Sequence, residues 1–316
     1  MGEGAARVLV DAMVTGVYAG DSRRLSLAAT FPKMAAMERE HGSLTRALIH
    51  RMREAKASGT TSGGPSGPSG TLTTFDGGMG ALPRAIADIL GDRLRTRAAA
   101  HTVRRRGDHM EVVTPSGSIA ARAVVLALPA RDAATLLREL APGAVEPLEG
   151  IPSAPIAVLM TSHPAPGGTG PEAHGFGFLV PRDEDLGILG CLYCHDIFPG
   201  QAPAGRLLFR TMLGGARQPE MASLDDDEIQ AHSMGVLHRV LGLEAAPERS
   251  WIFRWERGIA QYTLGHLERV EAAEAATKGT GLFLTGSSYH GVSVNDCIAN
   301  ARRTAGAVAA GLSGSR

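Results

Sequence analysis

Leu282-Phe283-Leu284-Thr285-Gly286-Ser287-Ser288-Tyr289-His290-Gly291-Val292-Ser293-Val294-Asn295-Asp296-Cys297-Ile298 is the stretch from which the fold can be read. Its apolar triplet, Leu282, Phe283 and Leu284, is too short for a helix and lies between Gly281 and Gly286, which predicts a buried strand. From Val292 onward, Val294, Ile298, Ala301, Ala305 and Val308 recur at the spacing of a helical stripe. A strand, a small-residue turn and a helix entered through glycine make a place where backbone N–H groups face an anion or the polar edge of a ring. An ordinary strand–helix unit of an α/β domain has the same outline, and geometry alone leaves both readings open.

The rest of the chain sets bounds on that stretch. At 316 residues it can bury a large core and should form about two domains. Apolar residues make up 44%, so it reads as globular. Lys plus Arg and Asp plus Glu number 32 each, so no overall charge draws it to nucleic acid. With no run of eighteen apolar residues and no signal-peptide pattern, the expectation is a cytoplasmic protein that does not span a membrane. Three cysteines are too few for a disulfide framework. Cys191-Leu192-Tyr193-Cys194-His195 has the short form of a c-type haem attachment, but the run around it is apolar and strand-like, so both cysteines are read as core packing.

The chain begins with a helix marked by Val8, Leu9, Ala12, Met13 and Val17 on one face. Thr30-Phe31-Pro32 starts a second, stopped by Gly42, and Ser43 caps a third. The basic residues of this third helix, Arg46, Arg51, Arg53 and Lys56, suit a solvated face or an anionic membrane surface. Positions 59–70, almost entirely Gly, Ser, Thr and Pro, predict a mobile loop. A helix then buries Leu82, Ile86, Ile89 and Leu90. Strands around 98–104 and 110–114 follow, with Arg104-Arg105-Arg106 at a hairpin turn, and then 119–122 and a run at 124–128 covered on both faces. Strands at 156–160, 176–180, 187–193 and 207–213, then a helix at 225–241 with an acidic start, predict a mostly antiparallel sheet.

No Ser-His-Asp group, paired carboxylates or metal-ligand cluster can be picked out. His41, His163, His174, His195 and His266 stand apart. No catalytic side chain and no metal are therefore expected, and the chemistry would be delegated to a cofactor.

The wording of several segments goes further than their geometry. The tail 286–298, Val10-Asp11-Ala12-Met13-Val14-Thr15-Gly16-Val17-Tyr18-Ala19-Gly20-Asp21, Glu38-Arg39-Glu40-His41-Gly42-Ser43-Leu44 and Gly77-Gly78-Met79 resemble the protoporphyrinogen oxidase family. So do Phe176-Gly177-Phe178-Leu179-Val180-Pro181, Met212-Leu213-Gly214-Gly215-Ala216-Arg217 and Gln261-Tyr262-Thr263-Leu264-Gly265-His266. The resemblance implies an α/β (α+β) chain carrying an incomplete two-domain FAD-linked reductase-type fold. Its parts would be a helical membrane- or substrate-facing segment at 1–58, the loop at 59–70, FAD-domain parts at 71–129 and 251–316, and a substrate domain with an antiparallel sheet at 130–250.

It also implies oxidation of protoporphyrinogen IX to protoporphyrin IX with FAD and O2. FAD would meet Ala99, Trp255, Gly286, Gly291, Val292, Ser293 and Val294, and the tetrapyrrole would lie against Phe176, Gly177, Leu179, Leu192 and Met212. A homodimer and peripheral contact with the inner face of the cell membrane are the expected associations.

Two departures stand out: Ser287 replaces the usual asparagine, and Ala260 replaces proline. The fingerprint Gly-x-Gly-x-x-Gly is absent, so the resemblance covers a member without its first third, and without that pyrophosphate anchor FAD binding is expected to be weak or absent. Two alternatives remain. One is another flavin amine oxidase or desaturase, disfavoured by the 261–266 and 294–298 runs; the other is a tetrapyrrole-binding protein without catalysis.

Overall fold

The short apolar strand before the glycine turn forms as expected, but it has a single partner. In the computed structural model, which describes residues 3–58, 72–165 and 173–313, Leu282–Leu284 pairs in parallel with Val124–Leu126 and with no other strand. The loop expected at 59–70 lies outside the described residues.

The chain divides into two compact units, Met1–Leu25 with Ala98–Arg316, and Ser26–Arg97. Helix α1 (Asp11–Tyr18) belongs to the first unit. The second holds α2 (Pro32–His41), α3 (Leu44–Ser58) and α4 (Ala81–Leu90). Pro32 opens α2, Gly42 closes it in the left-handed conformation, and the Ser43 hydroxyl accepts from Arg46 N, all as the sequence predicts. Helix α4 departs from expectation: none of its residues is buried, and Ile89 is 75% exposed.

Among the described residues the first unit contains three sheets. Strands β1 (Thr102–Arg106), β2 (His109–Thr114) and β3 (Gly117–Ala121) form an antiparallel meander. Arg104 and Arg106 lie within β1, each paired with Glu111, while the turn itself is at 107–108. Then come β4 (Val124–Leu126) and α5 (Ala130–Leu137). The 124–128 run was expected to be covered on both faces, yet Val125 is 43% exposed, because the parallel sheet it belongs to has only two strands among the described residues.

The third sheet is built from β5 (Ser153–Pro164), β6 (Gly177–Leu179), β7 (Gly190–Tyr193), β8 (Arg206–Gly214) and β9 (Arg249–Ala260), in the order β6-β7-β8-β5-β9. All its pairings are antiparallel. Sequence periodicity did not mark β9, so the sheet runs past the boundary expected at position 250. Helix α6 (Asp226–Leu241) covers one side. A reciprocal cap fixes its start: Asp225 accepts from Glu228 N, and Glu228 accepts from Asp225 N. Ile229 and Leu237 of α6 are fully buried with Leu159, Leu213, Phe209 and Cys191. Each such side chain contributes about 1.5–3 kcal/mol of apolar burial. Cys191 is thus core packing, and Cys194 lies buried just past the end of β7.

Helix α7 (His266–Thr277), β10 (Leu282–Leu284) and α8 (Val294–Ser313) complete the unit. The apolar stripe expected on α8 is present, but Val294 is 47% and Ile298 41% exposed, and Asn300 is the one buried residue of the helix. Of the apolar face expected on the first helix, only Ala12 is buried. Val8, Leu9, Met13 and Val17 point to solvent, while Asp11, Ala12, Val14, Thr15 and Tyr18 are buried. Among the described residues, no helix is long and apolar enough to cross a membrane.

Candidate functional site

The turn that follows β10 is shaped by glycine and held from several sides. Gly286 and Gly291 have φ of +120° and +127°, and a Cβ on Gly291 would sit 2.5 Å from Asp296 Cβ. Ser288 Oγ accepts from Ala130 N at 3.1 Å, tying the turn to α5. The buried Tyr289 donates its hydroxyl to Leu128 O at 3.3 Å. Ser293 caps α8, accepting from Asp296 N at 3.1 Å and donating to the Asp296 carboxylate at 2.6 Å. The N–H groups of Val294 and Asn295 keep no acceptor among the described residues. Side-chain-free backbone at Gly291, open N–H groups and an exposed valine at a helix start suit the edge of a flat polar ring such as a flavin.

Tyr262 braces this turn. Fully buried, its hydroxyl donates to Ser287 O and accepts from Gly291 N, both at 2.8 Å. His266 stacks on it with ring centroids 3.8 Å apart and 15° between planes. His266 Nε2 lies 2.9 Å from Tyr289 O, so the proton is on Nε2. Burial depresses the pKa of His266 to about 4, leaving the ring neutral near pH 7. Burial raises that of the Tyr262 hydroxyl, which stays protonated. Tyr262→Phe strands a buried N–H and a carbonyl, and is expected to lower stability by about 1–3 kcal/mol. An unchanged urea midpoint would remove the brace from the account.

Register across the large sheet builds the second half of the site. Trp251, Phe253 and Trp255 stand beside Met160, Val158 and Ile156, and these beside Arg210, Met212 and Gly214. Met212 and Arg210 in turn stand beside Gly190 and Leu192, whose partners are Leu179 and Gly177. Directly paired residues share a face, so all of these lie on the side away from α6. Gly177 has no room for a side chain, since a Cβ there would come within 2.0 Å of Cys191 O. At the far edge the Phe253 and Trp255 rings stack at 6.3 Å, each about half exposed.

Helix α1 joins the two halves. Its Gly16 admits Leu179, whose Cδ2 would lie 2.7 Å from a Cβ. Ala19, just past its end, packs with Ile156, Val158 and Leu189 of this face. The Tyr18 ring is 6.1 Å from Tyr262, and Gln261 Nε2 donates to Tyr18 O at 2.8 Å. From Leu179 to Gly291 the path therefore runs through α1 and one tyrosine. Helix α1 is itself anchored by Asp11, which takes Arg182 at 3.2 Å, Arg217 at 3.0 Å and the Ser22 hydroxyl. Arg182 also reaches Asp21 at 2.5 Å.

Of the residues expected at the cofactor, Gly286, Gly291, Val292, Ser293 and Val294 occupy one turn. Trp255 stands instead on the sheet face with Gly177, Leu179, Leu192 and Met212. Phe176 precedes β6 and is 57% exposed. Ala99 is exposed in the segment leading to β1 of the meander, on neither the turn nor the large sheet. Asp11, Arg217 and Tyr262 were not singled out from the sequence, although the runs containing them were; Arg182 lies just past such a run, and His266 was named only as one of several scattered histidines. Among the described residues, no group of three His, Cys, Asp or Glu is placed to hold a metal. A cavity of about 780 Å³ lies elsewhere, along β10, where Arg105, Arg122, Lys278 and Arg303 contribute to its lining.

Known proteins resemble this chain in sequence and in fold. A protoporphyrinogen oxidase of spinach chloroplasts is 30% identical over 95% of this chain and 57% of its own length. The human protoporphyrinogen oxidase is 30% identical over 96% and 66%, and a coproporphyrinogen III oxidase of Bacillus subtilis 28% identical over 94% and 63%. The chain thus spans roughly three-fifths of the length of these relatives. A crystal structure from Exiguobacterium sp. 255-15, provisionally described as a protoporphyrinogen oxidase, superposes with a TM-score of 0.82 at 23% identity, over 97% of this chain and 64% of that one. Cyclohexylamine oxidase from Brevibacterium oxydans gives 0.66 at 16% identity, over 99% and 66%. The pattern of one family covers residues 2–309, and the chain belongs to it: the flavin containing amine oxidoreductases.

Proposed function

We propose that this chain takes part in the FAD-dependent oxidation of a porphyrinogen to a porphyrin, with protoporphyrinogen IX as the substrate. The observation that carries the reading is the link between the glycine turn and an apolar sheet face with an aromatic edge, made through Tyr262, Tyr18 and α1. A flat macrocycle needs walls of this kind, because apolar burial supplies affinity while a few polar groups set orientation. The relatives' names add support: several act on protoporphyrinogen, and others on coproporphyrinogen III, which is the second reading of the substrate.

FAD, when bound, supplies the two-electron oxidation. The turn at 286–293 and the start of α8 would hold its ring edge, through the N–H groups of Val294 and Asn295. Leu179, Leu192 and Met212 would seat the macrocycle and keep water from it. Oxygen as final acceptor, a homodimer, and a cytoplasmic protein resting peripherally on the membrane belong to the same proposal.

Purified chain mixed with FAD should retain flavin absorbance through gel filtration and generate porphyrin fluorescence from protoporphyrinogen IX in air. Turnover of an amine with none of porphyrinogen would replace the reading by amine oxidation. Porphyrin binding that saturates without flavin and yields no oxidation would replace it by tetrapyrrole binding alone.

A further inference from the structure

One side chain on the apolar sheet face has no role in holding the fold. Strand β8 is the central strand, flanked by β7 and β5. At its middle Arg210 stands exposed on the face away from α6, between Leu192 and Met160, with Met212 two residues along and Trp251 beyond Met160. Arg210 makes no ion pair or side-chain hydrogen bond among the described residues. Several other arginines of this unit do: Arg182 and Arg217 meet Asp11, Arg206 meets Glu248, Arg254 meets Asp226 and Arg257 meets Asp132. A guanidinium set into a field of Leu, Met and Trp adds nothing to packing that an aliphatic residue would not, and no carboxylate among the described residues pairs with it.

We propose that Arg210 is the carboxylate anchor of this face, taking a peripheral acid group of a flat, otherwise apolar ligand that lies on Leu192, Met160 and Met212. This rests on the porphyrinogen reading, in which the acid group is a propionate. The planar fork of arginine suits a carboxylate through two parallel hydrogen bonds, and the low-polarity surroundings strengthen them. The aromatic edge at Trp251, Phe253 and Trp255 would meet the ring's apolar rim.

The test is a fluorescence titration of the full chain, and of its R210M and R210K variants, with coproporphyrin III and with its tetramethyl ester. The wild type should bind the acid more tightly than the ester. Arg210→Met should weaken the acid about 10- to 100-fold and leave the ester within about twofold, as expected for losing a charge-assisted hydrogen bond. Arg210→Lys should recover part of that loss. Because the residue is exposed, both variants should melt with the wild type, which separates binding from folding. Equal affinity of wild type and R210M for the acid would overturn the assignment while leaving the porphyrinogen reading intact. Failure of the wild type to bind acid or ester would overturn both.

Discussion

Asp11→Ala should destabilise the unit that contains α1 by about 3–5 kcal/mol, the usual cost of removing one partner from a buried ion pair. The Asp11 side chain is 4% exposed and meets Arg217, 16% exposed, and Arg182, 22% exposed. Arg182 would keep Asp21, but Arg217 has no other ion-pair partner among the described residues and would be left as a nearly buried, unpaired cation. The three segments joined here are far apart in sequence: α1, the stretch after β6 and the stretch after β8. Loosening them frees α1, and with it the contact of Gly16 with Leu179 and the position of Tyr18. Urea denaturation measures the effect directly. Asp11→Asn, which keeps shape and some hydrogen bonding, should fall between wild type and alanine. A loss below about 1 kcal/mol for the alanine variant would mean that solvent already screens the cluster, as at a surface pair.

Gly291→Ala should be nearly as severe and should also release flavin. Two costs add at this residue. Its φ of +127° is strained for any side chain, worth about 1–3 kcal/mol, and the new Cβ would lie 2.5–2.7 Å from the Cβ, Cγ and Oδ2 atoms of Asp296. Asp296 must then move, breaking its bonds with Ser293 and costing the α8 cap about another 1 kcal/mol. Gly286→Ala is the natural comparison, since its φ is +120° but the nearest atom to a Cβ is 4.0 Å away. That variant should show the backbone strain alone. The readouts are the urea midpoint and the flavin absorbance retained after gel filtration. Equal effects at the two glycines would show that the contact with Asp296 does not matter.

Local chemistry made much of this protein legible from its sequence. The strand 282–284 follows from an apolar triplet between glycines, the start of α6 from an acidic capping run, and α2 from Pro32 and Gly42, because these signals act over a few residues. The glycine turn and the strands bearing Leu179, Leu192 and Met212 were readable for the same reason. What was misread depended on partners far along the chain. Helix α1 buries its Asp11 side and not its more apolar one, because Arg182 and Arg217 arrive from 171 and 206 residues away. Val125 was expected inside and stays open, since burial depends on a neighbouring element and not on the residue's own character. Strand β9 was not marked from the sequence, and only pairing with β5 turns Trp251, Phe253 and Trp255 into one border of a common face. Tertiary structure alone placed Arg210 on that face and put Tyr262 between it and the turn, because cross-strand register is a long-range property that no stretch of sequence contains.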